Sequence, residues 1–133
     1  MKIEEFKKLK LKTYRRDEEH EIQKSCVKWF NIRYPKLRGL LFAIPNGGRR
    51  YISTGTKLKE EGVVAGVSDL VLLYPGAFYP SLCIEMKTKK GKQQESQKLW
   101  QKKVETVGSK YVVCRSLDDF MKATEEYLGH EKG

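Results

Sequence analysis

Four short runs of apolar and β-branched residues, spaced by stretches of helical period, constrain the fold of this chain more than any other feature. GLLFAIP (39–45), LVLLY (70–74), LCIEMK (82–87) and YVVC (111–114) have strand length and composition, with turn-prone Asn46-Gly47-Gly48, Pro75-Gly76 and Pro80 at their borders. Before the first run, Ile22, Cys26, Trp29 and Phe30 form a helical stripe that ends at Pro35. A short helix is expected over 56–61, stopped by Gly62. Trp100, Val104 and Val107 set a helix over 94–107, with Gly108 as its stop. Ser116 caps a last helix, with Asp119 three residues on and Leu117, Phe120, Met121 and Leu128 as its apolar side. The major elements run α-β-β-β-α-β-α, which predicts an α/β fold with one mixed β-sheet flanked by helices.

Residues 1–16 are charged and weakly patterned, and read as a basic N-terminal arm or short helix. Residues 17–133 read as a single domain, long enough to bury a sizeable core. The longest apolar stretch, 70–74, is far too short to span a bilayer, and the basic start MKIEEFKKLKLK is not followed by the apolar core of a signal peptide. A soluble cytoplasmic protein without a membrane partner is the expectation. Cys26, Cys83 and Cys114 are widely spaced among apolar neighbours, which predicts reduced, buried thiols. His20 and His130 are too few for a zinc site or a histidine-based nuclease centre.

With 27 Lys and Arg against 17 Asp and Glu, the chain carries a formal charge of +10. Such an excess attracts polyanions. Two clusters sharpen it: KKLKLKTYRR (7–16) and KTKKGK (87–92). The second follows directly on a suspicious pair, Glu85 and Lys87, inside an apolar strand. Nucleic acid is the leading partner.

Side chains alternate along a strand, so Leu82, Ile84 and Met86 share one face while Cys83, Glu85 and Lys87 share the other. Asp69 stands where the preceding strand begins. If the two strands pair, Asp69 meets Glu85, and two adjoining carboxylates call for a hard divalent cation. At ~100° per residue, Glu19 and Gln23 fall on the inward side of the first helix, and Gln97 precedes the stripe of the later one. Four polar groups on faces that should be apolar suggest one shared polar cavity. The bland alternative makes Asp69 a turn cap and Glu85–Lys87 an exposed edge-strand pair.

EHEIQ (19–23), FAIPNGGRR (42–50), GVSDLVLL (66–73), IEMK (84–87) and Gln97 together resemble the virus-type replication-repair (VRR-NUC) nuclease domain of the PD-(D/E)XK superfamily. The resemblance runs from about Asp17 to Phe120 and is of the stand-alone phage and bacterial type. It implies a restriction-endonuclease-like core. It further implies that Glu19, backed by Gln23, is the first-helix acid, Asp69 and Glu85 are metal-binding acids, Lys87 is the catalytic lysine, and Gln97 supports the site. Ser68 stands where the superfamily name expects Pro, which touches the backbone rather than the chemistry.

The activity so implied is Mg²⁺-dependent phosphodiester hydrolysis, with Mn²⁺ as a substitute and Met86 lending its carbonyl to the ion. Asn46, Arg49, Arg50, Lys89, Lys90 and Lys92 are candidates for DNA-backbone contact. The expected substrate is branched DNA in repair or recombination. A homodimer resolving four-way (Holliday) junctions leads, because two symmetric cuts suit a two-fold dimer. A phage-encoded protein would act in the host cytoplasm. The alternatives are a flap, nick or end-processing nuclease, a non-catalytic basic DNA-binding protein, and a nuclease subunit that needs a partner.

Overall fold

The computed structural model describes residues 2–45 and 52–129, with backbone alone at positions 9, 11–16 and 52–55. Helix α1 (Ile3–Arg33) runs without a break through the stretch read as arm or short helix. It is followed by a 3-10 turn (Pro35–Leu37), β1 (Leu41–Ala43) and α2 (Ile52–Glu60). Then come β2 (Leu70–Leu72), β3 (Leu82–Met86), α3 (Glu95–Thr106), β4 (Lys110–Cys114) and α4 (Leu117–Leu128).

The four strands form one mixed sheet in the order β1-β2-β3-β4, antiparallel across the first two junctions and parallel across the last. Helix α3 makes the crossover that a parallel neighbour requires. Leu82, Ile84 and Met86 point to one face, where Leu70, Leu72, Cys114 and the buried rings of Phe30 (α1) and Phe120 (α4) complete the core. Trp29 and Phe30 meet Phe120 edge-on, with ring centroids 6.1 and 6.4 Å apart, a favoured aromatic geometry. The opposite face carries Cys83 and Glu85 of β3 and Tyr111 of β4, and Trp100 of α3 packs on Tyr111 at 6.1 Å. β3 is therefore buried along its whole length, as a strand covered on both sides must be.

The local signals hold at α4, where Ser116 Oγ accepts from the Asp119 N–H at 3.0 Å. At α3 the cap is Gln94. The Gln97 side-chain oxygen accepts from the Gln94 N–H at 2.7 Å, closing a reciprocal box. Val107 differs from expectation: it ends α3 as the C-cap and is 79% exposed, because the inward stripe stops one turn earlier. The three cysteines are free and buried, and burial pushes the Cys26 and Cys114 thiols up to about 12. Among the described residues no helix is long and apolar enough to cross a membrane.

The segment leading into β2 is fixed from outside. Gly66 has φ +87°, and a Cβ there would collide with the Ser96 carbonyl at the start of α3. Gly66→Ala combines that collision with a left-handed backbone, so it should lower stability by at least about 2 kcal/mol in urea melts. An unchanged midpoint would show that the segment is not locked to α3.

Candidate active site

The antiparallel register Leu70↔Ile84, extended by one residue, sets Asp69 opposite Glu85. The Met86 N–H donates to Asp69 Oδ2 at 2.7 Å, so the carboxylate is anchored across the strand pair. Asp69 then shares an open cleft with Glu19, His20, Gln23, Lys24 and Val27 of α1 and with Met86; its volume is about 470 Å³. At ~30 Å³ per water, that admits a hydrated ion and a phosphate group together.

Glu85 is only 2% exposed, which excludes the edge-strand alternative; Lys87, at 8%, is buried as well. Its carboxyl accepts from Gln97 Nε2 at 3.2 Å and from the Tyr111 hydroxyl at 3.3 Å. Tyr111 is in turn met by Gln93 Nε2 at 3.2 Å, and Gln93 also donates to Gln101 at 2.8 Å. Gln97 thus has two jobs, capping α3 with its oxygen and holding Glu85 with its nitrogen. Burial pushes Glu85 up to about 9, and the carboxyl of Asp69 within hydrogen-bonding reach adds to the push. Burial also raises Glu19; the Lys87 ammonium and the Thr88 main-chain N–H pull it back, while Asp69 opposes them.

Of the residues singled out by sequence, Glu19, Gln23, Asp69 and Met86 line this cleft. Lys87 acts on Glu19, and Glu85 sits deeper against Asp69 with Gln97 behind it. Lys89, Lys90 and Lys92 are exposed on the loop after β3. Asn46, Arg49 and Arg50 lie outside the described residues. Sequence reasoning missed Tyr111 and Gln93, whose roles depend on the β3–β4 pairing. It also missed Arg115, whose Nη1 donates to the carbonyls of Thr88 at 2.7 Å and Gly91 at 2.6 Å and so pins the basic loop. The signal for Arg115 was a lone charge directly after an apolar strand.

The donor chemistry fits a hard divalent cation: carboxylate oxygens from Asp69, Glu85 and Glu19 at one end of the sheet. Among the described residues, no three acidic, His or Cys side chains already stand close enough to form a ready-made ion cluster. Asp69 and Glu85 stand within hydrogen-bonding reach of each other, and Glu19 shares the cleft with Asp69. Glu85 instead meets Asp69 by keeping a proton.

The mixed sheet thus gathers acids from a first helix and from two adjoining strands beside a lysine. The VRR-NUC domain model matches residues 17–118. The chain belongs to the VRR-NUC family, whose domain is a nuclease of the PD-(D/E)XK kind. A solved structure titled a VRR_NUC domain protein shares the fold, with a TM-score of 0.72 at 24% identity over 83% of this chain and 87% of that one. No curated protein matches the chain.

Without a cation, the folded protein holds the Glu85 proton to about pH 9, whereas the unfolded chain releases it near 4.5. The folded state binds more protons across that window, so this contribution is full below about pH 4.5 and is lost as pH rises towards 9. Urea melts in chelator should show stability falling between about pH 5 and 9, with Glu85→Gln flattening the decline. Parallel profiles for the two proteins would contradict the assignment.

Proposed function

We propose that the protein is a Mg²⁺-dependent endonuclease, with Mn²⁺ as a substitute, that cuts branched DNA as a homodimeric resolvase of four-way junctions in the cytoplasm. The observation that carries this reading is the pair of half-buried Asp69 and buried Glu85, with Asp69 on a cleft shared with Glu19 and Lys87 acting on both Glu19 and Glu85. Asp69, Glu85 and Glu19, with the Met86 carbonyl at the rim, would hold the ion. When bound, it polarises the phosphate and lowers the pKa of an attacking water.

The chain's own groups do the rest. Asp69, tied to the Met86 N–H, keeps one acid fixed in direction. Gln97 and Tyr111 hold the Glu85 carboxyl so that it needs little rearrangement on exchanging its proton for an ion. Lys87 offers a desolvated ammonium to orient water and to offset negative charge growing on the phosphate oxygens. Gln23, one turn from Glu19, supports the rim. Lys89, Lys90 and Lys92 neutralise backbone phosphates without reading sequence, as do Arg49 and Arg50 in this reading, while Asn46 approaches the DNA as an uncharged hydrogen-bonding group. A dimer supplies the second, symmetric cut that a four-way junction requires, since each protomer contributes one such set of acids.

The test is a panel of labelled junction, flap, nicked and linear DNA with Mg²⁺ or Mn²⁺. Wild type should cut the junction fastest, and sedimentation should give twice the protomer mass. Asp69→Ala and Lys87→Ala should each lose at least about 10²–10³-fold in cleavage rate while binding DNA within a few-fold of wild type. A wild type that binds but cuts nothing under either ion would favour the non-catalytic binder; fastest cutting of flaps or nicks would replace the resolvase.

A further inference from the structure

The loop after β3 is built around one guanidinium. Lys89 and Lys90 are the middle residues of a tight turn, closed by the Gly91 N–H donating to the Thr88 carbonyl at 3.1 Å. Arg115 Nη1 donates to the carbonyls of Thr88 at 2.7 Å and Gly91 at 2.6 Å, and more weakly to that of Lys89 at 3.4 Å. Half-buried Arg115 is itself fixed, because its main-chain N–H donates to Asp119 Oδ2 at 2.9 Å, in the first turn of α4.

Trans peptide geometry then decides where the donors of this loop face. Each N–H points opposite to the carbonyl of the residue before it, and no peptide among the described residues is cis. With the carbonyls of Thr88, Lys89 and Gly91 drawn onto Arg115, the N–H groups of Lys89, Lys90 and Lys92 point away from it. None of the three donates to an acceptor among the described residues, and all three lysines are exposed. The same residues thus offer main-chain and side-chain donors outward. The arrangement also gathers like charges. Arg115 brings a further cation to a segment that already carries Lys87, Lys89, Lys90 and Lys92, and such charges repel one another. A neutral amide would hold the same carbonyls without that repulsion; a cation is an advantage where the loop meets a polyanion.

We propose that Arg115 is a positioning residue for DNA: it turns the carbonyls of the 88–92 loop inward, so that the main-chain N–H groups of Lys89, Lys90 and Lys92 meet backbone phosphates together with their ammonium groups. A main-chain N–H held in place has a fixed direction and gives up no side-chain freedom on binding, so it sets position where a lysine alone supplies charge. Lys87 is anchored independently, by its N–H donating to the Cys114 carbonyl at 3.0 Å. Arg115 therefore governs how DNA is held rather than how it is cut. The proposal rests on the nuclease reading and names a substrate-holding element of that site.

The experiment uses the full chain and whichever DNA of the panel wild type cuts fastest. Arg115→Met keeps the aliphatic stem and removes the donors. It should raise KM about tenfold, with kcat within about two-fold of wild type. Binding measured in Ca²⁺ should weaken by a similar factor, and the loss should persist at ~0.5 M salt, where the missing charge is screened. A second pair of variants leaves Arg115 in place and decides the matter in case Arg115→Met folds poorly. Lys89→Ala removes one ammonium; Lys89→Pro removes the ammonium and the N–H, at a turn position where proline is favoured. The proline variant should bind about tenfold more weakly than the alanine variant.

A wild-type KM in Arg115→Met, a loss that disappears as salt rises, a fall in kcat with KM unchanged, or equal binding by the two Lys89 variants overturns the proposal. A wild type that neither binds nor cuts DNA removes the nuclease reading itself. A wild type that cuts while Arg115→Met matches it removes this inference alone.

Discussion

A carboxyl group held inside a strand covered on both faces is the constraint on which this molecule turns. Glu85 replaces what would otherwise be another apolar residue of β3, and isolated burial of an ionised carboxylate is unfavourable. The fold meets this with three devices. Gln97 and Tyr111 donate to its oxygens, and the proton it retains lets it lie against Asp69. Apolar residues of matching shape at these positions would serve stability as well or better. On the proposed reading, the arrangement gives up some stability for the chemistry of the site.

Each support is itself fixed by an element whose presence follows from local sequence. Gln97 is held in line by its capping bond to the Gln94 N–H, so the start of α3 and the orientation of Glu85 are one structural decision. Tyr111 is set by the parallel β3–β4 register and by the Trp100 ring. Arg115, one residue past β4, gathers the carbonyls of Thr88 and Gly91 around its guanidinium. That bends the lysine-rich loop into a fixed shape beside Lys87, where a free loop would lose more entropy on meeting a phosphate backbone.

What could be read from the sequence follows from what is periodic. Helical spacing alone puts Glu19 on the side of Cys26 and Phe30, and strand alternation puts Glu85 opposite Ile84 and Met86. The meeting of Asp69 with Glu85 needs only one further step, the pairing of two strands close in sequence. Tyr111 was not legible, because its place beside Glu85 depends on a parallel crossover of more than twenty residues. Local pattern fixes no register across such a connection. Arg115 was hidden for a related reason, since its partners are main-chain carbonyls, which leave no trace in side-chain chemistry. Val107 was misjudged because an apolar residue at helical spacing looks the same whether the helix continues or ends.

The electrostatics of the whole chain and of the site run in opposite directions, and their opposition accounts for how both are arranged. A protein of +10 draws polyanions from a distance, yet its cleft carries two acids, Glu19 and Asp69, that repel phosphate at contact. Lys87 balances part of that charge, acting on both Glu19 and Glu85. In the ion-free protein the proton on Glu85 supplies the missing positive charge. It is a poor substitute at contact, because it is shared within the acid pair and offers nothing to an incoming phosphate oxygen. On the proposed reading, a divalent cation would offset two of the three carboxylate charges and Lys87 the third, so that the site no longer repels the backbone. On the proposed reading, the acids that oppose a phosphate at contact are the ones that would seat the ion, while the lysines around the cleft keep the polyanion near.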